Sequence, residues 1–429
     1  MNLLNGEIVF SAAERDAVLK TLDKKIAMTL QESELNQELV LSACDALSKT
    51  IAEEHVEMLT GVGLPNVAAR RYIAEAKLLL SRESLEARLK RELSDSFASG
   101  GSYIFNEKGS RITEKLMPLG ILLHIAAGNQ YGLAFFSVIE GLLAGNINLV
   151  KLPGNDDGLS AMIFAELFKL EPRLKDYVYL FDYSSKEEAA IRSLMDLSDA
   201  VVVWGGDSAV SAVRRLTPPA MRIIEWGHKM SFAYITMQGA TAERIKGLAE
   251  NIVETNQLLC SSCQGIFLDT ESVEELHSFC EDFLPVLERA REAAHGEIPQ
   301  AIQAQTGLLV YTERLKAAKR PCRVFQSGQS SLLAYDDAAL ETAISFGNCW
   351  VKRLPREMIS ETIRPHKNHL QTAALLCGGE EREELTKLLW TAGVTRVTSG
   401  EQMSRPYASA AHDGEYTLRR YTRIVSQEF

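Results

Sequence analysis

These 429 residues contain no apolar stretch long enough to cross a bilayer, and Met1 to Phe10 does not run from a basic region into an apolar one. A membrane span and a secretory leader are therefore not expected, and a cytoplasmic location is. Basic charge is also short: 46 Lys and Arg face 57 Asp and Glu, a formal net charge of -11, and no long basic run occurs. Binding a phosphate backbone requires a concentrated cationic surface, so no nucleic-acid partner is expected. Cysteine is sparse and odd in number, seven in all at positions 44, 260, 263, 280, 322, 349 and 377. A secreted disulfide scaffold would have them dense and paired; reduced thiols fit this spread better. There is no internal repeat, no low-complexity segment, no Gly-x-Gly-x-x-Gly and no P-loop, so the familiar phosphate fingerprints are missing. No second Cys-x-x-Cys and no His-x-x-x-His accompany Cys260 and Cys263, and no metal site is expected.

The chain is long enough for two or three domains, and 46% hydrophobic with 24% charged residues is ordinary for a globular protein. From Ser11 to Phe97 the residues are rich in Ala, Leu, Glu, Lys and Arg, with Leu39, Leu41, Ala43, Leu47 and Ile51 at helical spacing. This predicts an N-terminal helical layer, broken once at Gly61, Gly63 and Pro65 and ended by the Ser-Gly-Gly-Ser run at 99–102. Short apolar runs then alternate with helix-length segments. The runs are Leu119–Ala127, Ile147–Leu152, Tyr177–Phe181, Ala200–Trp204 and Arg222–Ile224, with helices near 131–144, 158–170, 185–196 and 207–216. Runs apolar on both faces, joined by helical crossovers, describe a covered parallel sheet that binds nucleotide at its carboxyl edge. A second series follows: helix 241–258, strand Gly265–Asp269, helix 271–293, strands Gly307–Tyr311 and Ser331–Tyr335, helix 337–346, strand Leu370–Leu376 and helix 380–392. Two outlying pieces with β-like composition, Ser102–Leu116 and Tyr416–Val425, are left to pair with each other or with another subunit.

Four segments carry candidate chemistry. In Asn256-Gln257-Leu258-Leu259-Cys260-Ser261-Ser262-Cys263-Gln264, a cysteine stands where a helix runs into a strand, a place where exposed backbone N–H groups can favour a thiolate nucleophile. A redox pair would put Cys-x-x-Cys at the start of a helix instead. Buried structural cysteine stays open as the plain alternative. The loop Ala126-Ala127-Gly128-Asn129-Gln130 lets a ligand approach the backbone, and the Asn129 amide can donate to an oxyanion; the same residues also suit any turn. Lys151-Leu152-Pro153-Gly154 ends the second strand, where lysine can meet a ribose or phosphate, or simply solvent. Trp204-Gly205-Gly206-Asp207 opens a helix whose N–H groups can face a pyrophosphate.

Taken in this order, these segments resemble the aldehyde dehydrogenase superfamily, and within it the LuxC-type acyl-CoA reductases. The superfamily pattern of Asn, Lys, Gly turn, Glu-x-Gly-x-Lys and nucleophilic Cys falls on Asn129, Lys151, Gly205, Glu225-Trp226-Gly227-His228-Lys229 and Cys260, with a separation of 35 residues from Glu225 to Cys260. LuxC-type detail lies in His228-Lys229-Met230-Ser231-Phe232, Gln257 to Gln264, His369-Leu370-Gln371-Thr372 and His412-Asp413-Gly414. The resemblance runs from about Gly101 to the C-terminus and is specific as a set. The sequence departs from the pattern at two positions. Cys263 stands where LuxC-type enzymes have proline, and Gly154 stands where NAD-preferring relatives place a ribose-binding glutamate, which leaves room for a 2′-phosphate.

The resemblance implies an α/β, aldehyde-dehydrogenase-like fold: two α/β lobes with parallel-rich sheets, an N-terminal helical layer and a small β oligomerisation flap. The expected divisions are 1–100 as a helical segment packed on the cofactor domain, 118–236 as the dinucleotide-binding domain, 237–404 as the catalytic domain, and 101–117 with 405–429 as oligomerisation segments. It also implies NADPH-dependent reduction of a fatty acyl-CoA or acyl-protein thioester to the aldehyde through acyl-Cys260. The catalytic residues would be Cys260, Asn129 and Glu225, and the cofactor-binding residues Lys151, Gly154, Gly205, Gly206 and Gly227. A homo-oligomer and an acyl-protein synthetase partner are expected as well. Two rivals stand beside this reading. Glu225 acting as general base could activate water, making the chain an NAD(P)+-dependent aldehyde dehydrogenase that releases acid. Alternatively, the fold could serve as a non-catalytic acyl-transfer scaffold.

Overall fold

The computed structural model describes the chain except for residues 33–34, 62–65, 94–101, 106–110, 127, 129–131, 295–297, 406, 408 and 429. The break expected at Gly63 and Pro65 and most of the Ser-Gly-Gly-Ser run lie outside the described residues. Two compact units are present, Met1–Gly227 with Ala408–Phe429, and His228–Tyr407.

The first unit opens with a hairpin, β1 (Asn2–Leu4) and β2 (Glu7–Val9). Its turn is Asn5-Gly6, both at positive φ (55° and 83°), the two-residue geometry whose twist matches paired strands. Six helices between Ala12 and Leu93 follow, with the apolar stripe Val40, Leu41, Ala43, Cys44 and Leu47 buried. After β3 (Ser102–Phe105) and β4 (Arg111–Pro118) come β5 (Ile121–Ile125), β6 (Ile147–Lys151), β7 (Val178–Phe181), β8 (Ala200–Trp204) and β9 (Arg222–Trp226). The main sheet has the order β2-β1-β7-β6-β5-β8-β9. β7 to β9 run parallel, and β1 adds antiparallel to β7. β6 and β7 are buried at every residue, which is why they read as unbroken apolar runs.

The second unit is built on β10 (Met230–Ile235), β11 (Cys263–Leu268), β12 (Cys322–Ser327), β13 (Ser330–Tyr335), β14 (Asn348–Arg353), β15 (Leu370–Leu376) and β16 (Arg396–Thr398), in the order β12-β13-β14-β11-β10-β15-β16. All its pairings are parallel except β12 with β13. The closing strand β17 (Thr422–Glu428) belongs to the first unit and pairs antiparallel with β4, in a three-stranded sheet β17-β4-β3. The two outlying β pieces thus pair with each other.

Two expectations in the second unit are overturned. Gly307–Tyr311 is not a strand but the middle of the helix Gln300–Lys316: of these residues only Val310 is buried, and Leu308, Leu309 and Tyr311 face outward. Residues 337–346 are not a helix. Their polar groups bond outward instead: Asp337 and Glu341 accept from Arg320 and Lys352, the Glu341 carbonyl accepts from Trp350 Nε1, and Ala343 N–H donates to Gln264 Oε1.

Candidate active site

The helix Ala242–Thr255 stops because Asn256 and Gln257 turn left-handed, at φ 48° and 62°. Non-glycine residues in this region cost of order 1 kcal/mol each, so the turn must be held from outside. Gln257 is that hold. Its side chain is buried; Nε2 donates to the Cys263 carbonyl at 3.0 Å and lies 3.2 Å from Cys349 Sγ, and Oε1 accepts from Gly347 N–H at 3.0 Å. Its own carbonyl accepts from Gln264 Nε2 at 3.0 Å. Cys260 follows at the crest of the turn, partly exposed. The buried Ser231 hydroxyl donates to the Cys260 carbonyl at 2.7 Å and accepts from Thr372 N–H at 3.0 Å, anchoring the crest to β10 and β15.

Burial disfavours the thiolate at the other six cysteines. It pushes Cys44 and Cys349 up to about 12 and Cys322 up to about 11, and raises Cys280 and Cys377. Cys263, three residues from Cys260, is fully buried, donates its S–H to the Gly265 carbonyl at 3.2 Å, and is raised well above the ordinary thiol value, chiefly by burial. A thiol so disfavoured as thiolate is a poor nucleophile. In the same unit His228-Lys229 and the segment 368–372 come together: Lys229 Nζ donates to the Asn368 carbonyl at 2.8 Å, and His369 Nδ1 lies 3.3 Å from the His228 carbonyl.

In the first unit, strand register gathers the other candidates at the carboxyl edge of the main sheet. Lys151, Ile125, Val203 and Glu225 form one transverse row across β6, β5, β8 and β9. Lys151 is buried, and burial lowers its pKa. The loops after β5 and β6 are tied by Asn155 Nδ2 donating to the Gly128 carbonyl at 2.6 Å. Asn129 lies outside the described residues. Gly154, Gly206 and Gly227 face open space, since a Cβ on any of them would meet nothing within 4 Å, whereas one on Gly205 would approach Ala209 to 3.0 Å. Gly206 caps the helix Asp207–Leu216, and Gly205 N–H donates to the Trp226 carbonyl at 3.1 Å. His412 packs edge-on against Trp204 and Trp226, with ring centroids 5.1 and 4.9 Å away.

Sequence reasoning missed three features. Gln257 and Ser231 were noted only as motif members. The Glu225 carboxylate is gripped by both Nε and Nη2 of Arg214, which raises the arginine's pKa. The third is an apolar cavity under the N-terminal helices. Each depends on partners distant in sequence or on shape, and no local pattern announces them.

A family model described as acyl-CoA reductase (LuxC) matches residues 33–424. The long-chain acyl-protein thioester reductase of Vibrio harveyi is 22% identical over 322 residues, 73% of this chain and 65% of that protein's own length. The protein of the same name from Photorhabdus laumondii is 23% identical over 383 residues, 84% of this chain and 77% of the relative. Among solved structures, the aldehyde dehydrogenase KauB of Pseudomonas aeruginosa superposes with a TM-score of 0.75 at 12% identity, covering 100% of this chain and 96% of that one. A benzaldehyde dehydrogenase of Corynebacterium glutamicum does so at 0.72 and 13%, covering 99% and 91%. The fold is thus that of the aldehyde dehydrogenases.

Proposed function

The chain belongs to the acyl-CoA reductase (LuxC) family, and from that premise we propose that it reduces an acyl thioester, carried on CoA or on a protein, to the aldehyde with NADPH. The observation that carries the mechanism is the placement of the thiols: Cys260 stands on a clamped turn, while burial holds the other six away from the thiolate. The Cys260 thiolate attacks the thioester carbonyl, the carrier thiol leaves, and an acyl-cysteine remains. Asn129 and the Cys260 N–H are the proposed oxyanion donors, each typically worth about 3–4 kcal/mol when removed. Collapse of the thiohemiacetal on Cys260 frees the aldehyde and returns the sulfur.

The carboxyl edge of the first unit fits a dinucleotide. Lys151 sits at a strand end, Gly205 and Gly206 open a ten-residue helix, and the three glycines that face open space leave the backbone accessible. When bound there, the nicotinamide supplies the hydride. Gly154 presents no carboxylate to repel a 2′-phosphate, which supports NADPH over NADH. The exposed Ile424 and Val425 on β17, an edge strand of its sheet, support self-association through that sheet. An acyl-protein synthetase is the proposed donor partner. Among the described residues no helix is long and apolar enough to cross a membrane.

Intact-mass analysis after mixing with acyl-CoA, together with NADPH oxidation, tests the reading. Cys260→Ala is expected to lose both the acyl adduct and the reduction, and Cys263→Ala to keep them; the reverse pattern overturns the assignment. If the wild-type chain leaves NADPH untouched yet reduces NADP+ with aldehyde, only the acid-releasing reading survives.

A further inference from the structure

Lys151 is only 8% exposed, yet among the described residues neither a hydrogen bond nor an ion pair reaches its ammonium. A charge taken out of water without a partner is costly, so a lysine in this state is suited to a polar ligand. One acid of the chain acts on it from nearby: burial lowers the lysine's pKa, and the Glu187 carboxylate raises it.

Strand register explains how Glu187 comes to stand there. Lys151 ends β6 beside Phe181, the last residue of β7, and Leu152 N–H donates to the Phe181 carbonyl at 2.8 Å. The chain leaves β7 through Asp182, Tyr183 and Ser184, then folds back. Glu187 N–H donates to the Ser184 carbonyl at 3.0 Å, and Glu187 Oε2 accepts from Ser184 N–H at 2.6 Å. Arg15, from the helix Ala12–Leu19, braces this turn with its guanidinium 3.9 Å from the centre of the Tyr183 ring. It gives its closer contacts to Asp182 at 2.9 Å and Asp16 at 3.0 Å, and reaches Glu187 Oε1 only at 3.4 Å. The Glu187 carboxylate is therefore fixed at the carboxyl edge one strand from Lys151, partly neutralised, and 44% exposed to whatever binds.

We propose that Glu187 is a specificity-determining residue, which limits how strongly the chain prefers NADPH to NADH, and that Arg15 is its positioning residue. This rests on the dinucleotide reading of the carboxyl edge given above. A carboxylate beyond a strand end accepts a hydrogen bond from a ribose 2′-hydroxyl and repels a phosphate in its place, whereas cations favour the phosphate. Gly154 leaves room for a 2′-phosphate and Lys151 attracts one; Glu187 opposes it, to the extent that Arg15 leaves its charge uncovered. One carboxylate near a doubly charged phosphate at a water-facing edge is worth about tenfold in affinity.

Calorimetric titration of the full chain with adenosine 2′,5′-bisphosphate and with 5′-AMP tests this without any turnover. Glu187→Gln, whose amide oxygen can still accept from Ser184 N–H, is expected to bind the bisphosphate about tenfold more tightly and 5′-AMP at least threefold more weakly. Arg15→Gln is expected to weaken the bisphosphate several-fold, and Arg15→Gln/Glu187→Gln to recover it. A merely structural loss at Arg15 would weaken both ligands alike and persist in the double variant, which would remove Arg15 from the proposal; should Arg15→Gln not fold, Glu187→Gln alone decides the role of Glu187. A ratio of the two affinities within twofold of wild type in Glu187→Gln overturns the proposal, and if wild type still binds NADP+ the dinucleotide reading stands. Wild-type protein that binds neither NADP+ nor NAD+ overturns both.

Discussion

Replacing Gln257 with leucine tests whether the nucleophile is positioned by the clamp beneath it. Leucine nearly preserves the volume but strands the Cys263 carbonyl and the Gly347 N–H, both of which the Gln257 amide now satisfies at 3.0 Å. A buried polar group left without a partner costs about 1–3 kcal/mol, so two of them bring the local loss to about 3 kcal/mol. The left-handed Asn256 and Gln257 add to the drive to relax, although the Asn256 carbonyl still accepts from Phe346 N–H at 3.1 Å and the Gln257 carbonyl from Gln264 Nε2 at 3.0 Å. A loss of that size corresponds to about a hundredfold faster opening, readable as amide exchange across 257–264 and at Gly347 by hydrogen-exchange mass spectrometry. Because the turn carries Cys260 rather than the substrate, kcat is expected to fall at least tenfold while KM moves less than threefold. Exchange within threefold of wild type together with a retained kcat would refute the positioning role.

His124 is fully buried between Ser137 Oγ at 2.8 Å and Asn148 Oδ1 at 3.0 Å, and burial pushes its pKa down to about 4. The unfolded chain, with a histidine pKa of about 6.5, takes up the proton first, so this residue lowers stability as pH falls from 6.5 to 4, to a limit of about 3 kcal/mol. The stability gap between wild type and His124→Gln in urea unfolding is therefore expected to narrow by about 2 kcal/mol between pH 7 and pH 4.5; a gap that ignores pH counts against the assignment. Arg214→Gln frees the Glu225 carboxylate. Acid release from loaded Cys260 without cofactor is expected to rise several-fold and to drop again in Arg214→Gln/Glu225→Gln, and equal rates in all three proteins would show that the pair plays no part.

The strands Ile147–Lys151, Ala200–Trp204 and Leu370–Leu376 were legible in the sequence because strands covered on both faces need apolar residues almost throughout. Gly307–Tyr311 carried a similar composition and misled, because its helix neighbours from Gln300 to Lys316 outweigh four apolar residues. Residues 337–346 failed in the opposite direction. Helix-forming side chains lost to Arg320, Lys352 and Gln264, partners reachable only once the sheet exists. The Asn5-Gly6 hairpin carried a strong local signal and was overlooked. At the site, motif order pointed to Cys260, but its restraints were out of reach: Gln257 meets Gly347 90 residues away, and Ser231 meets Thr372 at 141.

Fold alone does not decide which way this chemistry runs, because aldehyde dehydrogenases at 12–13% identity share the architecture. At an acyl-cysteine the outcome is a partition between water and hydride. Water needs a base to take its proton, and the carboxylate the family pattern offers for that task is Glu225. Both its oxygens accept from Arg214 on the neighbouring helix. Glu225 must therefore give up a forked guanidinium before it can deprotonate water, a step that hydride transfer to the same acyl carbon does not require.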